Sequence, residues 1–119
     1  MTRYCFVDYD REVAIVAELG AGAQRRLIGV GRLIADPDHE TVEYAVLVAD
    51  AWQNVGVGGI LTDYCLEIAR SWGLRRIVAQ TTSDNARMLA LFTRRGFEIL
   101  PEEESLVNVT KDLDAVTTA

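Results

Sequence analysis

A glycine-rich stretch in the middle of the chain constrains the fold more than any other feature. It joins a run of β-branched and aromatic residues at 42–48 to a segment whose apolar residues recur at helical spacing from 60 to 72. The stretch reads Gln53-Asn54-Val55-Gly56-Val57-Gly58-Gly59. Where a strand, a glycine turn and a helix follow one another, backbone N–H groups converge and an anion can approach them closely. The sequence therefore predicts a phosphate-bearing ligand at the start of the helix, near Gly58.

Two common phosphate-binding motifs do not fit these letters. A P-loop ends in Gly-Lys-Ser/Thr, whereas Gly58 and Gly59 are followed here by Ile60, with no lysine to reach a terminal phosphate. A dinucleotide fingerprint requires Gly-x-Gly-x-x-Gly, but Leu61 stands where the third glycine would be. Neither a nucleoside triphosphate nor a dinucleotide is the ligand that this turn predicts.

A third glycine pattern, Gln/Arg-x-x-Gly-x-Gly/Ala, is met by Gln53, Gly56 and Gly58. A second pattern lies at 85–97, where Asn85 opens a predicted helix, an apolar pair follows, and Gly-Phe closes it. The two patterns, in this order, resemble the acetyl-CoA signature and the later motif of the GNAT superfamily of N-acetyltransferases. On the first pattern alone, a tight turn without a ligand is the alternative.

The resemblance implies a site for acetyl-CoA as cosubstrate. It implies that the strand at 42–48 and the strand after Gly73 splay apart. The pantetheine arm would pair with the backbone near Leu47 and Val48, and the amides of residues 55–60 would hold the diphosphate. An asparagine at position 85 would contact the pantetheine side or the adjacent turn. The predicted cofactor-binding residues are Leu47, Val48, Gln53, Asn54, Val55, Gly56, Val57, Gly58, Gly59, Ile60 and Asn85. No metal is expected, because the one histidine, His39, lies in a polar loop typical of solvent-exposed residues and no metal-binding cluster accompanies it.

The same resemblance makes Glu43 the candidate catalytic base. Alternation along a strand puts Glu43, Ala45 and Leu47 on one face. We expect apolar neighbours to bury the Glu43 carboxyl and raise its pKa toward a useful value; the alternative is a solvent-facing residue. Many members of the superfamily place a tyrosine where this chain has Phe92, so either water protonates the leaving thiolate or CoA leaves as the anion.

The order of predicted elements indicates the fold class. At 119 residues the chain is predicted to be one domain, 1–119. We predict an α/β (α+β) architecture, a mixed, mostly antiparallel GNAT-like sheet with helices on both faces, lacking the usual N-terminal strand and helices. The predicted strands lie at 3–7, 12–19, 26–34, 42–48, 75–81, 97–100 and 106–109, and the predicted helices at 58–73 and 85–96.

Charge and hydropathy bound the function. A net charge of −6 argues against nucleic-acid binding and favours a cationic acceptor. No apolar run reaches membrane-spanning length and no signal-peptide pattern is present, so we expect a cytoplasmic protein without a membrane partner.

The specific letters at 8–12, 42–48 and 85–88 resemble the acetyltransferase domain of bacterial protein lysine acetyltransferases. The leading interpretation is therefore transfer of an acetyl group from acetyl-CoA to a primary amine, and this closer resemblance implies a protein lysine as one candidate acceptor. The alternative is a catalytically inactive CoA-binding sensor or regulatory module. A homodimer formed through an exposed strand, or fusion to a larger chain, is a further expectation.

Overall fold

The computed structural model describes residues 2–9, 12–20, 26–38, 40–49, 52–53, 56–101 and 103–113. Its strands are β1 (Thr2–Tyr9), β2 (Glu12–Leu19), β3 (Arg26–Ala35), β4 (Thr41–Val48), β5 (Arg76–Thr82), β6 (Glu98–Ile99) and β7 (Leu106–Asp112). Its helices are α1 (Val57–Ser71) and α2 (Ala86–Arg94). The strands form a single sheet in the order β1-β2-β3-β4-β5-β7-β6. Only β4 and β5 pair in parallel among these strands, which confirms the predicted mixed, mostly antiparallel sheet.

Strands β1 to β4 form an antiparallel meander, as the short turns between the predicted strands indicated. Only residues 10 and 11 separate β1 from β2, so there is no length for a helix between them. The chain then changes to parallel pairing, because α1 carries it back across the sheet from the end of β4 to the start of β5.

Both helices contact the same face of the sheet, whereas we expected helices on both faces. The hydroxyl of Tyr44 in β4 lies 2.7 Å from Thr62 Oγ1 in α1, and the Tyr44 ring meets the ring of Phe92 in α2 edge-on. The topology explains the difference. Strands β5 and β6 run parallel because each is antiparallel to β7, so the two helical crossovers advance across the sheet in the same direction. Crossovers of the same hand and direction leave their helices on one side.

The hydrophobic core lies between this face and the helices. Two glycines in β3 let α1 approach closely, since a Cβ on Gly29 would lie 3.1 Å from Leu61 Cδ1 and one on Gly31 would lie 3.3 Å from Cys65 Sγ. A glycine inside a strand often marks such a close approach of another element. The largest fully buried side chains include Phe92, Ile15, Ile28, Leu33, Leu61 and Ile77. Among the described residues, no helix has both the length and the apolar content needed to cross a bilayer.

Candidate functional site

A cleft opens where β4 and β5 separate. Pairing of these two strands runs from Thr41 opposite Arg76 to Tyr44 opposite Ala79, while β4 continues to Val48 and β5 to Thr82. The cleft has a volume of about 530 Å³. The end of β4, the first turns of α1 and one side of α2 line it. This separation is the splay that the sequence resemblance implied.

The backbone of β4 presents hydrogen-bonding groups to the cleft. The N–H of Ala49 donates to the carbonyl of Ile28 on the β3 side, at 2.8 Å. Backbone groups alternate sides along a strand, so those of Leu47 also point toward β3, and those of Val46 and Val48 point toward the cleft. The pantetheine arm was expected at Leu47 and Val48, but this geometry favours Val46 and Val48. Leu47 also lines the cleft, and its side chain is 74% exposed.

The first turn of α1 closes one end of the cleft. Gly56, at its N-cap, has φ 91°, a left-handed conformation that glycine adopts without strain. No side chain of the described residues caps this helix. The N–H of Ile60 already donates to the carbonyl of Gly56, at 3.0 Å. The first-turn amides at 57–59 thus remain as donors for a ligand, and the helix dipole favours an anion there.

The cofactor residues predicted around this turn differ in placement. Gly56, Gly58, Gly59 and Ile60 all line the cleft. The side chain of Val57 is instead buried in the core, at 4% exposure. Because its amide is already bonded, Ile60 does not belong to the predicted set of free donors. Asn54 and Val55 lie outside the described residues, as does His39.

Three arginines of the second motif also line the cleft, and the sequence interpretation did not include them. Arg95 Nε and Nη2 donate to the Asp63 carboxylate at 2.8 and 3.3 Å. The guanidinium lies so close above the first turn of α1 that a Cβ on Gly59 would be 2.7 Å from Arg95 Nη2. Arg87 and Arg94 line the same wall. Arg94 and Arg95 follow Arg87 by seven and eight residues, a spacing that puts all three side chains on one face of a helix. This spacing could have identified them from the sequence.

Gln53 and Asn85 connect the walls of the cleft. The Gln53 side-chain amide donates to the Val48 carbonyl at 3.1 Å, and Arg87 Nη1 donates to Gln53 Oε1. Gln53 thereby joins the end of β4 to α2. Asn85 is the N-cap of α2, where its Oδ1 accepts the N–H of Met88 at 3.1 Å, as the sequence predicted for the start of this helix. Both residues line the cleft.

Glu43 lies two residues after the start of β4, opposite Val78 in the paired part of the two strands. It shares the helix-free face with Ala45 and Leu47, as alternation predicted, and all three side chains are exposed. The expected burial of the Glu43 carboxyl is therefore wrong. The cause is that both helices cover the opposite face, where Tyr44 lies. The catalytic role of Glu43 stays a prediction.

The buried titratable groups lie in the core. Burial raises the pKa of the Cys65 thiol to about 12, and it raises the pKa of the Tyr44 phenol well above its ordinary value. Phe92, at the position of the absent tyrosine, is 1% exposed and packs against Tyr44 and Phe97. Within the described part of the chain, no cluster of His, Cys, Asp and Glu side chains could hold a metal ion.

Comparisons with known proteins agree with this geometry. Residues 2–97 match the Acetyltransferase (GNAT) family. A mycothiol acetyltransferase of Jonesia denitrificans is 34% identical over 89 residues, covering 74% of this chain and 28% of the relative. The chain spans about a quarter to a half of the length of the curated relatives it matches.

Solved structures share the fold. The GNAT domain of S. lividans PAT is 27% identical with a TM-score of 0.76, covering 91% of this chain and 65% of that one. The yncA protein of Salmonella typhimurium, solved with its cofactor acetyl-CoA, is 23% identical with a TM-score of 0.74, covering 91% of this chain and 68% of that one. The splayed strands, the glycine turn and the family match over most of its length establish that this chain belongs to the GNAT acetyltransferase family.

Proposed function

We propose that this chain is an N-acetyltransferase that moves an acetyl group from acetyl-CoA to a primary amine. The observation that supports this most is the splay of β4 and β5 ending at the uncapped start of α1. This arrangement offers backbone groups for an amide-containing arm and free helix amides for an anion in a single cleft. Membership of the GNAT acetyltransferase family identifies acetyl-CoA as the acetyl donor.

The parts of acetyl-CoA match the walls of the cleft. Its diphosphate would lie on the first-turn amides at 57–59, where Arg95 adds positive charge beside Gly59. Its pantetheine amides would pair with the backbone of Val46 and Val48, which extends past the last pair with β5. The thioester would then lie beside β4, near the point where the strands part.

The reaction requires a neutral amine, a destination for its proton and donors for an oxyanion. The amine nitrogen attacks the thioester carbon, and backbone N–H groups of β4 donate to the oxyanion that forms. Glu43 is the proposed base, accepting the amine proton directly or through water from the helix-free face. The carbon–sulfur bond then breaks, and CoA leaves as a thiolate that solvent protonates. Phe92 has no proton to give, and a thiolate needs less acid assistance than an amine or alkoxide.

A protein lysine is the proposed acceptor. The similarity to the GNAT domain of S. lividans PAT supports this acceptor. The chain is acidic, which favours a cationic acceptor, and Glu43 lies on an exposed surface that a protein could approach. The mycothiol acetyltransferase relative makes a small amine the competing acceptor. A cytoplasmic location and a homodimer formed along the edge strand β1 complete the proposal.

One observation favours a second candidate, a CoA-binding regulatory module without turnover. Glu43 is exposed, so the burial that would prepare it as a base is absent from the described structure. Under this alternative the cleft binds acetyl-CoA while no residue beside it accepts the amine proton.

Calorimetric titration with acetyl-CoA tests the cofactor, with Gly58→Asp as the comparison. A Cβ at Gly58 meets only ordinary contacts with Leu91 and Val48, so the variant should fold while its carboxylate repels the diphosphate. Binding by the wild type that is lost in Gly58→Asp is the expected result. A folded wild type that binds no acetyl-CoA would refute the proposal.

The Glu43→Gln variant separates the enzyme from the regulatory module. As an enzyme, the variant should bind acetyl-CoA normally and lose roughly 100-fold or more in acetylation rate, the usual effect of removing a general base. Acetylation of lysine-bearing proteins, followed by mass spectrometry, is the assay. Equal rates in the two proteins would remove Glu43 from the mechanism.

A further inference from the structure

Two buried hydroxyls on the helix side of β4 have no part in the proposed chemistry. Tyr44 is 3% exposed and Thr62 is fully buried. Their oxygens lie 2.7 Å apart, and Thr62 Oγ1 lies 2.8 Å from the carbonyl oxygen of Gly58. The three groups form a continuous chain of hydrogen bonds from the central strand to the first turn of α1.

The direction of these hydrogen bonds follows from the groups themselves. A carbonyl can only accept, so Thr62 donates its single hydroxyl proton to Gly58. The Tyr44 hydroxyl must then be the donor to Thr62. Burial raises the pKa of the Tyr44 phenol, so it keeps its proton and remains a donor throughout the working pH range.

The carbonyl at the end of this chain belongs to the same planar peptide unit as the N–H of Gly59. Holding the carbonyl therefore also holds the direction of that N–H. Gly58 and Gly59 lie in the first turn of α1, where helix ends fray, and glycine at both positions is the most conformationally free residue, so the Thr62 hydroxyl adds to the restraint that the helix itself gives this carbonyl. A carbonyl that accepts hydrogen bonds also polarises its peptide, which strengthens the N–H as a donor.

We propose that Tyr44 is a positioning residue for the diphosphate of the acyl donor, acting through Thr62 to orient the Gly58–Gly59 peptide. This inference rests on the proposed function, since it assigns the Gly59 N–H to the bound diphosphate. Arg95 lies over the same residue, so a bound diphosphate would meet both the oriented N–H and the guanidinium.

The Tyr44→Phe variant removes one hydroxyl and keeps the ring that packs against Phe92. Acetyl-CoA affinity should fall by about 2- to 10-fold, the effect of one net hydrogen bond. Affinity for S-acetylpantetheine, which has the thioester arm but no diphosphate, should not change. The matched control is Tyr64→Phe, which removes a phenol hydroxyl from α1, the helix that carries Thr62; the Tyr64 ring contacts Tyr4 and Phe6 away from the cleft.

The amide resonance of Gly59 in the ligand-free protein provides a readout independent of acetyl-CoA. Tyr44→Phe should shift this resonance and speed its hydrogen exchange, while Tyr64→Phe should not. Thr62→Ser, which keeps the hydroxyl, should behave as the wild type, and Thr62→Val should show the Tyr44→Phe effect even if Tyr44→Phe folds poorly.

Three results would overturn the inference: an unchanged acetyl-CoA affinity in Tyr44→Phe, an equal loss for both ligands, or an unmoved Gly59 resonance. If the wild type bound no acetyl-CoA, the proposed function would fail. The Gly59 resonance would then still decide whether Tyr44 orients this peptide.

Discussion

Replacing Gly59 with alanine should separate the stability of the first turn of α1 from its affinity for acetyl-CoA. Gly59 lies beneath the Arg95 guanidinium, and a methyl group there would be 2.7 Å from Nη2. The arginine is the end of a flexible side chain, so it can move away. Moving it breaks the hydrogen bonds that Arg95 makes with the Asp63 carboxylate at 2.8 and 3.3 Å.

The two contributions to stability nearly cancel. Alanine in place of glycine stabilises a helix by about 0.5–1 kcal/mol. The Arg95–Asp63 pair is partly exposed, with 22% and 63% of the side chains accessible, and such pairs contribute about 0.2–1 kcal/mol. The free energy of unfolding should therefore change only slightly, between a loss of about 0.5 kcal/mol and a gain of about 0.8 kcal/mol, the extreme differences between these two ranges.

The effect on affinity is larger because Arg95 would make a charge-assisted contact with the diphosphate. Hydrogen bonds to charged groups contribute about 1.5–3 kcal/mol, which corresponds to roughly 10- to 100-fold in affinity. A displaced arginine can recover part of the contact, so we expect about a tenfold loss, the lower end of that range.

Urea unfolding and calorimetric titration of the same protein samples measure the two quantities. Arg95→Gln removes the charge without adding a methyl group and should weaken acetyl-CoA binding to a similar degree. Because both changes act on one contact, the Gly59→Ala, Arg95→Gln double variant should lose little more than either single variant. Full additivity, or wild-type affinity in Gly59→Ala, would refute the reasoning.

Two further predictions concern Gln53 and Cys65. Gln53→Ala removes the link from the Val48 carbonyl to Arg87 and should weaken acetyl-CoA binding by about 2- to 10-fold. The control Gln80→Ala removes an exposed amide contact with Asn108 and should leave the affinity unchanged. Equal affinities of the two variants in calorimetric titration would contradict this prediction. Burial raises the pKa of the Cys65 thiol from 9.0 to about 12, so the folded state holds this proton more tightly than the unfolded state, and the free energy of unfolding should fall as pH rises from 9 toward 12. The urea midpoint of Cys65→Ala should fall less over the same pH range. If the urea midpoints of the two proteins fell in parallel with pH, the assignment to Cys65 would be refuted.

Much of the fold could be predicted from the sequence because its signals are local. Strand alternation in β2 and β4, the glycine turn at 56 and the asparagine cap at 85 each depend on a few consecutive residues. Alternation also placed Glu43 on the face that it shares with Leu47. These rules involve backbone dihedral angles and side-chain direction, which neighbouring residues determine.

The tertiary structure alone decided which side of each element meets the site. Glu43 is exposed because both crossovers put their helices on the other face, and this depends on the order of strands that are distant in sequence. The backbone of Val46 faces the cleft because Ala49 pairs with Ile28 in β3, and the register of a strand pair cannot be read from either strand alone.

The same distinction separates the two kinds of site residue. The sequence by itself identified the glycines that leave helix amides accessible, since only the local backbone is involved. Arg95 enters the site only because α2 packs beside α1 and puts the guanidinium above Gly59. The hydrogen-bond chain from Tyr44 through Thr62 likewise requires β4 and α1 to be in contact. Contacts between secondary-structure elements depend on how all the elements pack together. The periodicity of one segment therefore determines which of its side chains share a face, but not which residues of other elements they contact.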